Sequence, residues 1–248
     1  MPKDSNFFIQ YKKNSKARIR LFCFHHAGGG ASFYYPWLDQ LSIHIELITV
    51  LLPGRENRFT EPLNSNLNDI ITQLNQEFYI YKDKPFFIFG HSLGALISFK
   101  LIQSIQKHYA ILPQHMIVSA SKAPDLPYRR KNLSKLDNIA LKEELKIYDG
   151  IDQQVLQQPD LLDLFLPIIR SDFSIIENYI HSKSTIFPFD ITALSGTDDK
   201  TVNNGEIVGW SKYTTGKFEH IVFPGGHFYL KNNKKVLEII NQIGERNI

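Results

Sequence analysis

The segment Phe86-Phe87-Ile88-Phe89-Gly90-His91-Ser92-Leu93-Gly94-Ala95-Leu96-Ile97-Ser98-Phe99-Lys100-Leu101 decides how the chain is read. Its first four residues are apolar and rich in aromatics, the composition of a short buried strand. Gly90-His91-Ser92-Leu93-Gly94 follows, and Leu93, Leu96, Ile97 and Leu101 then recur at helical spacing. This is G-x-S-x-G between a strand and a helix, the setting of a sharp turn that lifts a serine hydroxyl clear of the backbone. Such a turn leaves no room for a Cβ two positions to either side of the serine, which accounts for Gly90 and Gly94. The helix also aims its first, unpaired N–H groups at the place where charge would develop on an attacked carbonyl oxygen. Ser92 is therefore the candidate nucleophile. The bare pattern also fits an ordinary strand–helix turn; the strand before it and the helix after it favour the catalytic reading.

Working outward, the 248 residues suffice for one large α/β domain, or a domain with an insertion, around a real core. Apolar residues at 43% and charged residues at 21% are globular values, which argues against a disordered chain. A net charge of +3 is too weak to imply nucleic acid. A single cysteine, Cys23, excludes a disulfide framework and fits a reducing, cytoplasmic setting. Residues 1–20 are polar and lack the apolar run of a signal peptide. No stretch approaches the roughly 20 apolar residues of a membrane span.

Upstream of the serine, residues 1–17, with Lys12, Lys13 and Lys16, read as a solvated arm. Residues 18–24 form a first strand, which ends in His25-His26-Ala27-Gly28-Gly29-Gly30-Ala31-Ser32. The glycines fit neither phosphate-binding pattern, G-x-x-x-x-G-K-[ST] or G-x-G-x-x-G. They suit a loop that turns backbone N–H groups toward a site. His25 and His26 lack a third ligand at metal-binding spacing, so no metal is assigned. A short helix is expected over 33–41, interrupted by Pro36, and a buried strand over 46–52. Arg55 and Arg58, with Glu56 and Glu61 close by, read as a solvated loop with local ion pairs. An amphipathic helix over 67–79 precedes the Ser92 segment, whose helix runs to about Tyr109, and 115–120 is a further strand.

Residues 122–187 carry no strand pattern and predict an all-helical lid inserted between strands. One helix spans 136–148 with Asp137 as its N-cap; a second spans 159–179 and bends at Pro167. Arg129-Arg130-Lys131 at the start of this segment suits either a solvated loop or contact with an acidic partner. The sheet resumes over 189–194 and ends in Ser195-Gly196-Thr197-Asp198-Asp199-Lys200. A helix over 203–213, a last strand over 218–223, the loop Pro224-Gly225-Gly226-His227-Phe228 and a terminal helix through Val236, Leu237, Ile240 and Ile243 complete the chain.

Ser92, Asp199 and His227 each lie just past an expected strand, so all three fall on one edge of the sheet. Their order, Ser then Asp then His, is that of the α/β-hydrolases. A serine hydroxyl is a weak nucleophile and needs a base within hydrogen-bond reach. His227 fills that role, and Asp199 fixes its tautomer and stabilises the imidazolium. The backbone N–H groups of Ala27 and Leu93 form the oxyanion hole. Asp199 is preferred to Asp198 from its spacing to Gly196. His91 lies inside the turn and His220 within a strand, so neither replaces His227. Cys23, mid-strand, reads as a buried small hydrophobe.

Five blocks now carry a resemblance. Phe24-His25-His26-Ala27-Gly28-Gly29, Leu52-Pro53-Gly54-Arg55-Glu56-Asn57-Arg58, Gly90-His91-Ser92-Leu93-Gly94, Leu166-Pro167-Ile168-Ile169-Arg170-Ser171-Asp172-Phe173 and Gly225-Gly226-His227-Phe228 together resemble the type II thioesterases. These are the stand-alone editing hydrolases of non-ribosomal peptide and polyketide synthesis. The serine block alone is generic; the A-G-G, P-G-R-E-x-R and L-P-x-x-R-x-D-F blocks are more specific, and the likeness runs from about residue 18 to the end. The resemblance implies an α/β-hydrolase fold, a mostly parallel sheet flanked by helices, as a single domain over 1–248 with the helical lid at about 122–187. It implies hydrolysis of acyl thioesters from the phosphopantetheine arms of carrier domains, with Ser92, Asp199 and His227 as the triad and Ala27 and Leu93 at the oxyanion hole. No cofactor of its own is expected. Expected partners are carrier domains, docking near Arg129, Arg130 and Lys131, with neither nucleic acid nor membrane, and the enzyme is expected to be a monomer. Lys200 departs from the family pattern, where proline is frequent. A small-molecule carboxylesterase or lipase shares the same core, and a non-catalytic carrier-binding module is the reading from outside enzymology.

Overall fold

The computed structural model describes residues 6–130, 132–147, 159–182, 185–231 and 233–248. Four strands of the sheet are buried along nearly their whole length: β2 (Ile19–Phe24), β3 (Ile45–Val50), β4 (Phe86–His91) and β5 (His115–Ser119). Such near-continuous apolar runs are what strands covered on both faces require. β6 (Asp190–Gly196) and β7 (Phe218–Phe223) extend the sheet to one edge. The order is β1-β3-β2-β4-β5-β6-β7, parallel from β3 to β7.

The other edge differs from expectation. Within the segment read as a solvated arm, Phe8–Ile9 forms β1, antiparallel to β3, with Phe8 opposite Val50. Phe7 and Phe8 are buried, and Phe8 packs edge-on against Phe22 and Tyr81 at 5.5 and 5.2 Å between ring centroids. Two aromatics outweigh the polar residues around them because burying each ring is worth several kcal/mol, of order 2–3.

The helices follow their apolar stripes. α1 (Leu67–Phe78) buries Ile70, Ile71, Leu74 and Phe78, and its N-cap Asn66 accepts from the N–H of Asn68 at 3.0 Å. α2 (Leu93–Tyr109) starts directly after Ser92. The helix expected over 33–41 is instead a 3-10 turn, Ala31–Trp37, because Pro36 has no N–H to give an α-helical ladder.

Between β5 and β6 the described residues hold a 3-10 turn, Leu133–Lys135, then α3 (Asn138–Ile147) and α4 (Pro159–Glu177). Asp137 caps α3, its Oδ1 accepting the Ala140 N–H at 2.8 Å. α4 continues as one helix through Pro167. Lys131 and residues 148–158 lie outside the described residues. After β6 come α5 (Asn204–Val208), whose N-cap Asn203 and Glu206 form a capping box, and a 3-10 turn, Gly209–Tyr213. α6 (Lys234–Arg246) ends the fold.

Three apolar clusters result among the described residues. One lies between the sheet and α1–α2 and a second between the sheet and α6. The third, built on Leu141, Leu145, Leu162, Leu166, Ile169 and Phe173, belongs to α3 and α4. Ala27 packs against both the first cluster and the third, so the loop after β2 sits where the helical cover meets the sheet.

Candidate active site

Ser92 ends β4 and starts α2 with φ 55° and ψ −116°, a conformation of the kind an L-residue holds only when its surroundings enforce it. The enforcement is visible: its N–H donates to the Ser119 carbonyl at 2.8 Å, and its carbonyl accepts from Ala95 at 3.1 Å. The flanking glycines are sterically required. A Cβ on Gly90 would lie 2.6 Å from the Ala95 Cα, and one on Gly94 would collide with the Phe24 carbonyl. That second contact presses the start of α2 onto the end of β2, beside the loop that carries Ala27.

The loops after β6 and β7 meet through the backbone. Thr197 N–H donates to Phe223 O and Asp198 N–H to Gly225 O, both at 2.8 Å. Asp199 Oδ2 then lies 2.8 Å from His227 Nδ1, with the carboxylate fully buried and the imidazole 4% exposed. Asp198 is exposed, and among the described residues its carboxylate accepts from the hydroxyl of its neighbour Thr197 at 3.1 Å. Burial by itself would raise the Asp199 pKa, but the hydrogen bond and charge of His227, with the hydroxyl and N–H of Thr201, hold it below the usual carboxylate range. Thr201 spans the pair: its hydroxyl lies 2.7 Å from Asp199 Oδ1 and 2.8 Å from His227 Nδ1. Its role was not read from the sequence, where a hydroxyl two residues past an acid is unremarkable.

Ser92, His227, Ala27 and Leu93 line one cavity of about 250 Å³. Its apolar wall comes from α3 and α4, through Leu145, Leu162, Ile169, Phe173 and Ile176. Arg129 and Arg130 line it too, each paired with a carboxylate: Arg129 Nε with Glu206 Oε1 at 2.7 Å, and Arg130 Nη1 with Glu144 Oε2 at 2.8 Å.

The loop after β2 is a turn closed by Gly29 N–H to His26 O at 3.0 Å, with Gly28 at φ +76° in the third position. That is the position where a type II turn demands a positive φ. Gly28 N–H donates to Asp172 Oδ2 at 2.7 Å. The Ala27 N–H meets no acceptor among the described residues. Leu93 is the first residue of α2, so its N–H has no intrahelical partner. Asp172, on α4 and fully buried, also takes both arms of Arg55 at 2.7 and 2.9 Å. Arg55, read from sequence as part of a solvated loop, is 4% exposed, and its Nη1 also donates to Gly29 O at 3.0 Å. The signal for this pair lay in the proline-glycine-arginine block and the arginine-x-aspartate block of the resemblance.

The other candidates are held by other partners, although the His91 ring packs 5.1 Å from that of His227. His91 is buried against Ser119, Nδ1 to Oγ at 2.8 Å, and His220 bonds Ser195 at 2.9 Å. His25 Nδ1 lies 2.8 Å from His26 O. Cys23 is buried within β2, and burial pushes its thiol pKa well up. Among the described residues no three His, Cys, Asp or Glu side chains are grouped to hold a metal. No helix among them is long and apolar enough to cross a membrane.

A family model, Thioesterase domain, matches residues 19–245. The chain is 35% identical over 230 residues to the gramicidin S biosynthesis protein GrsT of Aneurinibacillus migulanus, spanning 93% of this chain and 90% of GrsT. It superposes on the type II thioesterase BorB from the borrelidin biosynthetic cluster with a TM-score of 0.87 and 32% identity, over 96% of this chain and 97% of BorB. ClbQ, from the colibactin NRPS/PKS pathway, gives a TM-score of 0.87 and 32% identity over 93% and 98% of the two chains. Sheet, Ser92 turn and cavity are those of the α/β-hydrolase class of serine hydrolases. Within that class the chain belongs to the thioesterase family, and its reaction is the hydrolysis of thioesters.

Proposed function

We propose that this enzyme hydrolyses acyl groups from the phosphopantetheine arms of carrier domains in non-ribosomal peptide or polyketide synthesis, clearing aberrant or misprimed chains. The observation that carries the reading is the buried His227–Asp199 hydrogen bond, with His227 lining the same apolar cavity as Ser92. The likeness to GrsT, BorB and ClbQ supports the carrier-bound substrate.

In this mechanism Ser92 Oγ attacks the thioester carbonyl as His227 takes its proton. Charge on the carbonyl oxygen is met by the N–H groups of Ala27 and Leu93. The tetrahedral intermediate collapses, the C–S bond breaks, and His227 returns the proton to the departing pantetheine sulfur. Water, deprotonated by His227, then attacks the acyl-serine, and the acid leaves as Ser92 regains its proton. Asp199 holds His227 in the tautomer whose Nε2 accepts, and balances the imidazolium. A thiolate leaves readily, so little is asked of His227 as an acid.

The helical segment at about 122–187 acts as a lid over the acyl chain of a single domain. We assign Arg129 and Arg130, at the cavity, to docking of the acidic carrier or its arm; Lys131 belongs to the same cationic run and lies outside the described residues. The chain itself needs no cofactor in this reading, and it works as a cytoplasmic monomer.

The test is release of acetate from an acetyl-phosphopantetheinyl carrier domain by wild type beside Ser92→Ala. The expected result is turnover that falls by about 10³-fold or more in the variant. A blank by wild type across acetyl and longer acyl carriers, with a p-nitrophenyl ester of the same acyl length cleaved, would move the activity to esters. Charge reversal at Arg129 and Arg130 is expected to raise KM for the carrier-bound substrate; an unchanged KM and salt dependence would sink the docking assignment.

A further inference from the structure

The loop that carries Ala27 is held from a direction the reaction does not explain. Asp172 grips the Gly28 N–H and Arg55 grips the Gly29 carbonyl, while the two side chains bind each other through both guanidinium arms. The turn bond uses the Gly29 N–H. Of the loop's Ala27, Gly28 and Gly29 N–H groups, Ala27's is thus the one left for a substrate among the described residues. Its direction is set by the two groups that fix Gly28 and Gly29.

Those groups come from different parts of the molecule. Arg55 stands after β3, whereas Asp172 belongs to α4, 117 residues away. One turn earlier on α4, Ile169 packs so closely on Gly28 that a Cβ there would lie 2.7 Å from Ile169 Cγ1. α4 shares an apolar cluster with α3, and only near its C-terminal end, at Ile175, does it enter the first cluster on the sheet. The cover therefore reaches the sheet-borne loop through the Asp172–Arg55 ion pair, the Asp172 bond to Gly28 and the apolar packing of Ile169 and Ala27.

We infer that Arg55 and Asp172 are positioning residues that make the Ala27 oxyanion donor depend on α4 being seated over the site. The inference rests on the thioesterase reading of Ser92 and Ala27 given above. With α4 seated, Asp172 and Arg55 hold the turn and the Ala27 N–H faces the reacting carbonyl. If α4 lifts, Asp172 leaves with it, and both the Gly28 N–H and the Arg55 fork lose their partner. Acyl transfer to Ser92 then waits until the acyl chain is covered. Donors fixed before reaction are worth most, so a loosened turn shows in turnover rather than in substrate binding.

The test uses Arg55→Lys, which keeps the buried charge beside Asp172 but loses the two-armed grip and the reach to Gly29. Steady-state kinetics are measured on whichever of acetyl, hexanoyl and decanoyl pantetheine thioester the wild type hydrolyses fastest. Two inhibitors of the same acyl length are titrated against folded protein: a trifluoromethyl ketone, which forms a tetrahedral adduct on Ser92, and an acyl amide, which does not. The expected result is kcat down at least about tenfold with KM within about threefold, and ketone affinity down by a similar factor with amide affinity unchanged. A kcat within threefold of wild type overturns the inference. So does an equal loss of affinity for both inhibitors, the signature of a generally disordered cavity. Wild type that hydrolyses none of the three thioesters and forms no ketone adduct is a different failure: it removes the thioesterase reading and this inference with it, before any variant is compared.

Discussion

At Ser92 a side chain is presented by a backbone held against its own preference. Its φ of 55° with ψ −116° costs of order 1–3 kcal/mol, offset by the hydrogen bonds to Ser119 and Ala95. Around His227 the arrangement is electrostatic instead. Asp199 accepts from His227, from the Thr201 hydroxyl and from the Thr201 N–H at 2.8 Å. A carboxylate that accepts several hydrogen bonds stays ionised, which is what a partner to an imidazolium requires. Asp199→Asn is expected to lower kcat by about 10⁴-fold, because an amide can favour the wrong imidazole tautomer. Thr201→Val is expected to lower it by about tenfold, the worth of one hydrogen bond to a charged group, with KM little changed. Both are read from initial rates on an acyl-pantetheine thioester; a Thr201→Val enzyme as fast as wild type would remove Thr201 from the machinery. The spacing from Gly196 favours Asp199 over Asp198, and Asp199 lies 2.8 Å from His227 while Asp198 is exposed. Thr201 was not legible, since its hydroxyl matters only once two loops have met.

At the scale of elements the strand, turn and helix around Ser92 were legible almost to the residue, because every constraint on them is local. Glycine spacing, an apolar run and a 3.6-residue period all lie within residues 86–109. Gly94 shows how tightly the elements meet. A Cβ there would strike the backbone of β2, which cannot swing aside as a side chain does. Gly94→Ala is expected to destabilise the fold by about 3 kcal/mol or more, measured as a lower urea midpoint at constant slope. A midpoint equal to wild type would mean that α2 can shift away from β2. Capping was legible as well, at Asp137, where a short acceptor precedes an apolar period. Elements without a period were not. β1 has two residues, too few to alternate, and Pro36 made a 3-10 turn where apolar residues suggested a helix.

For the whole molecule, buried histidines set the response to acid. His25, His91 and His115 are all buried. Burial, with Arg55 adding for His25, pushes His25 down to about 4; burial pushes His115 down to about 4 and His91 well below its ordinary value. Above pH 6.5 these groups are neutral whether the chain is folded or not. Below 6.5 the unfolded chain binds protons that the folded one refuses, so stability falls as pH falls. The cost is about 1.4 kcal/mol per histidine for each pH unit, until the folded pKa is reached. Asp199 adds a lower window: its contribution is complete above about pH 4 and is lost as pH drops through its depressed folded value. Tm is expected to fall by roughly 10 °C between pH 7.5 and 5.5, and by a few degrees less in His115→Gln. A Tm that is flat over that range would mean these imidazoles are protonated in the fold.

The sequence by itself determined the α/β architecture, the chain order of Ser92, Asp199 and His227, and the glycine-rich loop at Ala27, because periodicity, turn chemistry and motif spacing are written within tens of residues. Only the tertiary structure decided that Arg55 is buried, that it clasps Asp172, and that both hold the backbone beside Ala27. The physical reason is distance along the chain. Partners 117 residues apart have no shared period or spacing, and meet only because the packing of α4 over the sheet brings them to one place.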